Sequence, residues 1–420
     1  MEKIVILGLP INKVPFKEIF FNKIMLLSYI LICFAIYGIY DIFELRYFSD
    51  VATSHSLALE PATEGLKEAI REAIFGHVGE VSREVPWTLF ITNYMYMIYT
   101  GSGMIFLVAL AELLNIKIVE KLAASFMVFG LAMVFAGLFT IATDLNMLNI
   151  IWMFLDPNVN TGMWLMLPLY CTYIPFVLFE IYLILTQKRD LAKKLAFPIL
   201  LLSICVDLIE YYIQAKLFSM NTARHLWTEF PGLMWYFIIS AFVSSLGIMG
   251  VLSFFVHRSK DEYKKLMVLL RKALLFFIYL LAIYEVVGYL IIDKDWAFII
   301  LFGEFKELFF GGYILFALVL PFLLLMRPSK YYVIPASISV IIGGYIGRYL
   351  FVYGGNANPL SNRFGVGYEM YNFYDIPSSF NYVPPHLGEI CIVIGSIGVV
   401  LFIYKLVDTL FSVNKKRELD

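Results

Sequence analysis

The sequence predicts an all-α membrane protein, a polytopic bundle of about ten transmembrane helices in a single integral domain over residues 1–420. Three observations predict this class: long apolar stretches, a low content of charge, and basic residues confined to alternate loops. Hydrophobic residues make up 61% of the chain and charged residues 15%, whereas soluble globular proteins carry about 25% charged residues. A bilayer core of about 30 Å needs roughly 20 apolar residues per helix, with every backbone group paired inside the segment.

Ten stretches reach that length, and each is predicted to form one helix. The first follows a Lys-bearing segment without a small-residue cleavage site, so we expect a retained helix rather than a signal peptide. Prolines interrupt the fourth and fifth stretches, and glycine pairs interrupt the eighth and ninth. The stretches run near 24–43, 88–114, 119–142, 161–187, 193–215, 233–257, 268–292, 307–326, 332–353 and 388–408.

The distribution of basic residues orients these helices. Most of the 32 Lys and Arg residues lie in the two terminal segments and in every second loop. The positive-inside rule places those loops, and both termini, in the cytoplasm. The sequence therefore predicts a multi-pass protein of the cell (inner) membrane. The net charge of −1 gives no electrostatic footprint for nucleic acid.

Two segments on the opposite, outer side are long. Residues 44–86 contain helical periodicity from Glu60 to Val78, which predicts an amphipathic outer helix. Residues 354–387 are rich in Gly, Asn, Pro and Tyr. Long ordered loops on one face often cover a site or dock a partner, although tolerated loop length is the simpler explanation. We expect the outer face to carry the function.

Several charged residues fall inside the predicted helices. Charges at membrane depth are costly, and they usually face the bundle interior or a wet cavity. Asp207 and Glu210 are three residues apart and therefore share one helical face. The set predicts a proton or quinone pathway, and the alternative is structural pairing, for example of Arg348 with one of the carboxylates. The residues are Glu180, Asp207, Glu210, Glu285 and Arg348.

The sequence offers little for metal or haem binding. None of the five His residues lies in the middle of a predicted helix, so a haem held by two histidines is not expected. No nucleotide-binding loop and no zinc motif is present. The four cysteines match no metal or disulfide spacing, and they are interpreted as buried apolar thiols: Cys33, Cys171, Cys205 and Cys391.

Several motifs together resemble a known family. The second stretch opens with EVPWTLFITNYMYMIYTGSG, and the third ends with TDLNMLNIIWMFLDPNVNTGMW. The segment before the sixth reads ARHLWTEFPGLMWYFIISAFVSSLG, and GEFKELFFGGYILFALVLP and GGYIGRYL follow. In order and placement these motifs resemble the NrfD-type family, the membrane subunits of polysulfide reductases. The resemblance covers roughly residues 84–405.

The resemblance implies a quinone-binding membrane subunit without a metal or haem of its own. Its quinone would be menaquinone or ubiquinone. It implies two four-helix bundles, to which ten helices would add flanking helices. It also implies a ferredoxin-like iron–sulfur subunit, which the outer position of the motif loops places on the outer face. A molybdopterin or other catalytic subunit would complete the complex, so this chain would not carry the catalytic centre. Some family members are proposed to couple electron transfer to proton movement.

Candidate quinone-binding residues lie near the outer ends of the second and third helices or in the loop after the third. A quinone head needs hydrogen-bond partners and an aromatic or apolar slot, and its reduced form benefits from a nearby acid or Tyr. Asp144 matches the Asp-Leu motif of the family and is the strongest candidate, with capping of a short loop helix as the alternative. It is also assigned to the proton pathway. The candidates are Glu84, Trp87, Asn93, Tyr94, Asp144, Asn149 and Trp152.

Two other classes of function remain open. Secondary transporters carry helices broken by Gly or Pro near the membrane midplane, and such residues occur here, but no internal repeat is visible. A purely structural anchor that holds a redox partner without binding quinone is the third possibility. Co-purification of a cluster-bearing partner and of quinone would separate the three.

Overall fold

The computed structural model describes residues 3–6, 9–44, 67, 87–145, 155, 162–186, 189–220, 226–227, 232–258, 262–291, 300–356 and 384–414. Over these ranges the chain is helical apart from one small hairpin, which confirms the predicted all-α class. By length and composition, nine of the helices in the described ranges can cross a membrane. The predicted amphipathic helix at Glu60–Val78 lies outside the described residues except for Lys67.

The N-terminal region is a hairpin followed by two helices. Strand β1 (Lys3–Ile6) pairs antiparallel with β2 (Leu9–Asn12). Helix α1 (Phe16–Phe20) is short, and α2 (Lys23–Phe43) is the first candidate span. The hairpin was not predicted, because four-residue strands carry too little periodicity to be recognised in a sequence.

Four long helices form a first bundle. Two prolines lie inside its third helix and Pro198 lies inside its fourth. Neighbouring helices can supply partners for the backbone groups that a proline frees within a membrane. The bundle consists of α3 (Leu89–Leu113), α5 (Ala123–Ala142), α6 (Gly162–Thr186) and α7 (Arg189–Ser219), with the short α4 (Lys117–Glu120) between the first two.

Four more helices form a second bundle. Helix α10 begins as a π-helix over Leu308–Val319 and continues as an α-helix over Leu320–Met326. A 3₁₀ turn at Lys330–Tyr332 leads into the next helix. π-Helical segments often occur at functional sites. The bundle consists of α8 (Leu233–His257), α9 (Tyr263–Ile291), α10 (Leu308–Met326) and α11 (Val333–Asn356).

The last helix, α12 (Leu387–Phe411), packs along α2 and against α5. The predicted arrangement of two four-helix bundles with flanking helices is therefore confirmed. Helix α7 covers the predicted fifth stretch, 193–215, in addition to the nine candidate spans.

Helix α3 lies at the centre of the molecule, because it contacts α5 and α7 on one side and α8 and α11 on the other. Trp87, just before α3, lies near the ends of α7 and α11. At the opposite end, Lys121 forms an ion pair with Glu262 at 3.4 Å. We refer to these as the Trp87 end and the Lys121 end. The predicted orientation assigns the Trp87 end to the outer side.

The interpretation of all four cysteines as buried in the protein is wrong. Cys391 is buried, but Cys33, Cys171 and Cys205 are exposed on the surface of the helix bundle. Sequence hydropathy does not distinguish a side chain facing a neighbouring helix from one facing lipid, because both environments are apolar.

Helices α10 and α11 approach closely at Gly343. A Cβ atom at this position would lie 2.6 Å from the Cα of Ala317, which is a backbone atom and cannot rotate away. We therefore expect Gly343→Ala to destabilise the protein by about 1–3 kcal/mol, measured as a lower Tm in detergent. The control is Gly311→Ala, since a Cβ at Gly311 meets no atom within 4 Å. Equal melting temperatures for the two variants would contradict the close approach.

Candidate functional site

Trp87 belongs to an aromatic cluster that joins the two bundles. Its ring lies 4.7 Å from that of Trp227 and 4.8 Å from that of Phe218, measured between centroids. Asn356, at the end of α11, donates a hydrogen bond from its side-chain nitrogen to the Trp87 carbonyl oxygen. The tryptophan therefore fixes the start of α3 against α7 and α11.

Asn93 and Tyr94 are adjacent on α3, and they point to different neighbours. The Asn93 amide donates to Thr140 Oγ1 at 2.8 Å and to Ser396 Oγ at 3.0 Å, on α5 and α12. Its oxygen Oδ1 is buried without a hydrogen-bond partner among the described residues. Tyr94 points instead into the first bundle, so the two predicted quinone ligands do not converge on one point.

A hydrogen-bonded chain runs from Tyr94 into the first bundle. Gln214 Nε2 donates to the hydroxyl oxygens of Tyr94, at 2.9 Å, and Tyr170, at 2.8 Å. The two tyrosine hydroxyls lie 3.3 Å apart, and Tyr170 donates to Glu210 Oε1 at 3.2 Å. Tyr99 donates to Gln214 Oε1 at 3.3 Å. Hydroxyl, amide and carboxyl groups thus connect α3, α6 and α7.

The hydrogen-bonded chain ends at Glu210, which belongs to a group of buried acids on α6 and α7. Glu210 and Asp207 have no solvent exposure, and Glu180 is also buried. Neither carboxyl oxygen of Asp207 has a hydrogen-bond partner in the described part of the chain. The Tyr173 hydroxyl interacts electrostatically with all three acids. Ser203 donates to Glu180 Oε2 at 3.4 Å, and Glu180 also interacts with Glu112 near the Lys121 end.

We refer to these residues together as the polar column of the first bundle. Following the helices from the Trp87 end, the order is Tyr94, Gln214 with Tyr170, Glu210, Asp207 with Tyr173, then Glu180 with Glu112. The hydrogen-bonded hydroxyl and carboxyl groups from Tyr94 to Glu210 can exchange protons. Buried carboxyls without cationic partners are most stable in their protonated, neutral form.

A separate polar cluster lies in the second bundle. Tyr313 of α10 donates a hydrogen bond to Glu285 Oε1 of α9. Arg348 of α11 donates to Ser240 Oγ at 2.6 Å, and none of the described carboxylates lies within ion-pair distance of it. The alternative interpretation of Arg348 as one half of an interhelical ion pair is therefore wrong for the described residues. Its guanidinium instead lies between aromatic rings.

The remaining quinone candidates lie apart from the two polar clusters or outside the described residues. Asp144 is half-buried at the Trp87 end of α5, where its backbone N–H donates to the Ile141 carbonyl at 3.0 Å. Glu84, Asn149 and Trp152 lie outside the described residues, as do most of segments 44–86 and 354–387. The quinone assignments to these residues stay predictions.

Of the column residues, sequence reasoning found Tyr94 and the acids but missed Tyr170, Tyr173 and Gln214. Gln214 lies four residues after Glu210 and seven after Asp207, so all three share one face of α7. Tyr170, Tyr173 and Glu180 share a face of α6 by similar spacings. A search for polar side chains three, four or seven residues from the acids would have found Tyr173 and Gln214, and Tyr170 lies three residues before Tyr173. Among the described residues, no three His, Cys, Asp or Glu side chains are arranged to hold a metal ion.

Gln214 forms hydrogen bonds with three tyrosines, so its replacement tests whether this hydrogen-bond network stabilises the protein. We expect Gln214→Leu to lower stability by about 1–3 kcal/mol, because buried hydroxyls lose their partners. The measurement is Tm in detergent. Tyr212→Phe is the control. Tyr212 is exposed on the same helix, so this substitution is expected to leave Tm unchanged. If the Gln214→Leu protein were as stable as the control, the hydrogen bonds of Gln214 would contribute nothing to the stability of the fold.

The chain matches a known protein family. The polysulphide reductase NrfD family matches residues 77–359, about two thirds of the chain. This range contains both bundles and all residues of the two polar clusters. No curated protein matches the chain.

Proposed function

Because the chain belongs to the polysulphide reductase NrfD family, whose members are membrane subunits of oxidoreductase complexes, we propose that it is the quinone-reactive subunit of such a complex. It exchanges electrons between an iron–sulfur partner and a quinone, menaquinone or ubiquinone, and it moves protons through the first bundle. A molybdopterin or other catalytic subunit completes the complex. The observation that carries the proposal is the chain of hydrogen bonds from Tyr94 to Glu210.

The residues at the Trp87 end of the first bundle suit a quinone head. Each quinone carbonyl oxygen accepts a hydrogen bond, and Tyr94 has a hydroxyl to donate. That hydroxyl accepts from Gln214 Nε2 and donates to the weakly accepting Met166 sulfur at 3.8 Å, and the Tyr170 oxygen lies 3.3 Å away. A ligand carbonyl would accept this hydrogen in place of the Met166 sulfur. Asp144 lies at the same end of the bundle.

The column can replace the proton that Tyr94 gives up. Quinone reduction consumes two electrons and two protons, so a site in the membrane needs a supply of both. When Tyr94 donates its proton, Tyr170 passes one to Tyr94, and Glu210 passes one to Tyr170. Asp207, Tyr173 and Glu180 then connect Glu210 towards Glu112 at the Lys121 end. Reversing these transfers removes protons during quinol oxidation.

The partner is proposed to dock at the Trp87 end, which is the outer side in the orientation set by the basic loops. Tyr94 and Asp144 lie at this end, so a cluster docked here would be near the proposed quinone position. Electrons must come from another subunit, because the chain has only four cysteines and these lie singly in helices.

The first experiment is gentle purification of the tagged chain with its partners, followed by iron, molybdenum and quinone analysis. Iron and quinone together support the proposal. Iron without quinone would favour the structural anchor. Crosslinking in the native membrane before purification keeps any partner attached to the protein. If the crosslinked protein then contains neither iron nor quinone, ion translocation without redox chemistry is favoured. The buried acids of α6 and α7 also suit that function.

Asp144→Asn tests the strongest residue assignment. We expect quinol-linked turnover to fall by about 10²-fold while the complex still assembles, because the amide keeps the shape of the side chain but cannot exchange a proton. Turnover and partner retention are measured on the same preparation. Unchanged turnover in an assembled Asp144→Asn complex would remove Asp144 from the site.

A further inference from the structure

The second bundle contains a buried acid of its own. Glu285 is 4% exposed and accepts a hydrogen bond from Tyr313 on the facing helix. Gly347 on α11 makes room for this tyrosine, because a Cβ there would lie 2.6 Å from Cε2 of its ring. The hydrogen bonds of the first-bundle column do not extend to this pair in the described part of the chain. Glu285 is therefore a separate site.

A small cavity lies beside this pair. Its volume is about 20 Å³, enough for about one water molecule and too small for a quinone head. Three of its lining side chains carry hydrogen-bonding groups, Tyr236, Glu285 and Tyr313, and the remaining lining residues are apolar or Gly347. A buried water needs two to four polar partners, which these groups supply.

Arg348 is the counter-charge of this site. Its guanidinium carbon lies 5.3 Å from the ring centroid of Tyr236, which lines the cavity. Arg348 interacts electrostatically with Glu285, although the two do not form an ion pair. It is 4% exposed, and its Nη1 has no hydrogen-bond partner among the described residues. A buried guanidinium that lacks a carboxylate partner is costly, which points to a functional role.

The same guanidinium also faces the first bundle. Its carbon lies 4.8 Å from the ring centroid of Tyr99, whose hydroxyl is bonded to Gln214 in the column. Among the described side chains it is the one buried Lys or Arg, against five buried acids, Glu180, Asp207, Glu210, Glu285 and Glu389. A single positive charge cannot balance ionised carboxylates in both bundles at once.

We propose that Glu285, Tyr313 and a water in the adjoining cavity form a second proton-binding site, with Arg348 as a counter-charge shared between the two bundles. Glu285 holds the proton and Tyr313 orients the carboxyl group. Negative charge that develops in the first-bundle column offsets the positive potential of Arg348 at Glu285. The ionised form of Glu285 is then less stabilised, so its carboxyl group binds a proton more readily. Among the described residues, the charged or titratable groups that interact with Glu285 are Tyr284 of its own helix α9, Tyr236 of α8, Tyr313 of α10 and Arg348 of α11. The link to the column rests on the proposed redox function, whereas the proton site does not.

Infrared spectroscopy of the full complex tests the site without turnover. In pH-jump difference spectra, we expect a protonated-carboxyl band that disappears in Glu285→Gln and moves in Tyr313→Phe, because the latter loses the hydrogen bond. At fixed neutral pH, this band should grow about twofold or more in Arg348→Gln, since removing a positive charge favours the neutral carboxyl. Arg348→Lys keeps the charge and should remain close to the parent. Glu307→Gln, at an exposed acid, is the control.

Two outcomes overturn the proposal. The first is a set of carboxyl bands that is the same in Glu285→Gln as in the parent. The second is a Glu285 band that is equal in the parent, Arg348→Gln and Arg348→Lys. Should Arg348→Gln not fold, the Tyr313→Phe and Glu285→Gln spectra still decide whether the site binds a proton. Spectra of oxidised and reduced complexes test the coupling between the column and Glu285. If the carboxyl bands of the column change on reduction while the Glu285 band does not, the coupling is refuted and the proton site is retained. If no carboxyl band changes on reduction, the result counts against the proposed redox function.

Discussion

Glu210→Gln is expected to lower quinol-linked turnover of the assembled complex by about 10²-fold, which is the typical contribution of a positioned proton donor. Glu210 is fully buried and accepts the Tyr170 hydroxyl hydrogen bond at 3.2 Å. Glutamine can keep this hydrogen bond through its amide oxygen, but it cannot give a proton to Tyr170. The column is therefore interrupted at its midpoint while its packing is retained.

The measurement compares turnover with partner retention and quinone content in the same preparation. Glu210→Asp retains an acid one methylene shorter and is expected to keep part of the activity. Glu307→Gln, an exposed acid at the end of the second bundle, should behave as the parent does. Full turnover in an assembled Glu210→Gln complex would contradict the role of the column in supplying protons.

Asp207 differs from Glu210 in a way that sharpens this test. Both of its carboxyl oxygens lack hydrogen-bond partners in the described residues, whereas Glu210 accepts from Tyr170. The Tyr173 hydroxyl faces the Asp207 carboxyl group, and asparagine keeps an oxygen that can accept from this hydroxyl. We expect Asp207→Asn to fold as well as Glu210→Gln and to reduce proton movement, measured as pH change outside proteoliposomes during turnover.

The helices were predictable because each depends on one local property, the length of an apolar stretch. The prediction near 233–257 coincides with α8 (Leu233–His257), and that near 119–142 contains α5 (Ala123–Ala142). The start of α10 was not predicted as a π-helix, because hydropathy is the same for an α-helix and a π-helix. The N-terminal hairpin was missed for a related reason, since four-residue strands show no clear period.

The site was only partly predictable, because its connections depend on packing between helices. The acids Glu180, Asp207 and Glu210 were found from the rarity of charge in apolar stretches. Their tyrosine and glutamine partners were not, because these residues are common at membrane interfaces and in helix cores. Arg348 illustrates the same limit: the sequence suggested a carboxylate partner, whereas the helices place Tyr99, Tyr236 and Phe237 around its guanidinium.

Trp227→Ala is expected to cost about 3–5 kcal/mol of stability, the range typical of large aromatic side chains removed from a core. Trp227 is fully buried and packs against Trp87, Phe218 and Phe351, with ring centroids 4.7, 5.3 and 6.2 Å away. Its Nε1 donates to the Phe351 carbonyl oxygen at 2.9 Å. It thus links the first bundle to α11 at the Trp87 end.

The matched control is Trp235→Ala on α8. Trp235 is 58% exposed, so this substitution should lower the free energy of unfolding only slightly. Tm in detergent gives the stability of each variant, and iron content of the purified complex gives partner retention. If the iron–sulfur partner docks at the Trp87 end, Trp227→Ala should lose iron as well as stability, because the surface formed by both bundles loosens there. Destabilisation with full iron content would place the docking surface elsewhere and would contradict the proposed path of electrons to a quinone near Tyr94.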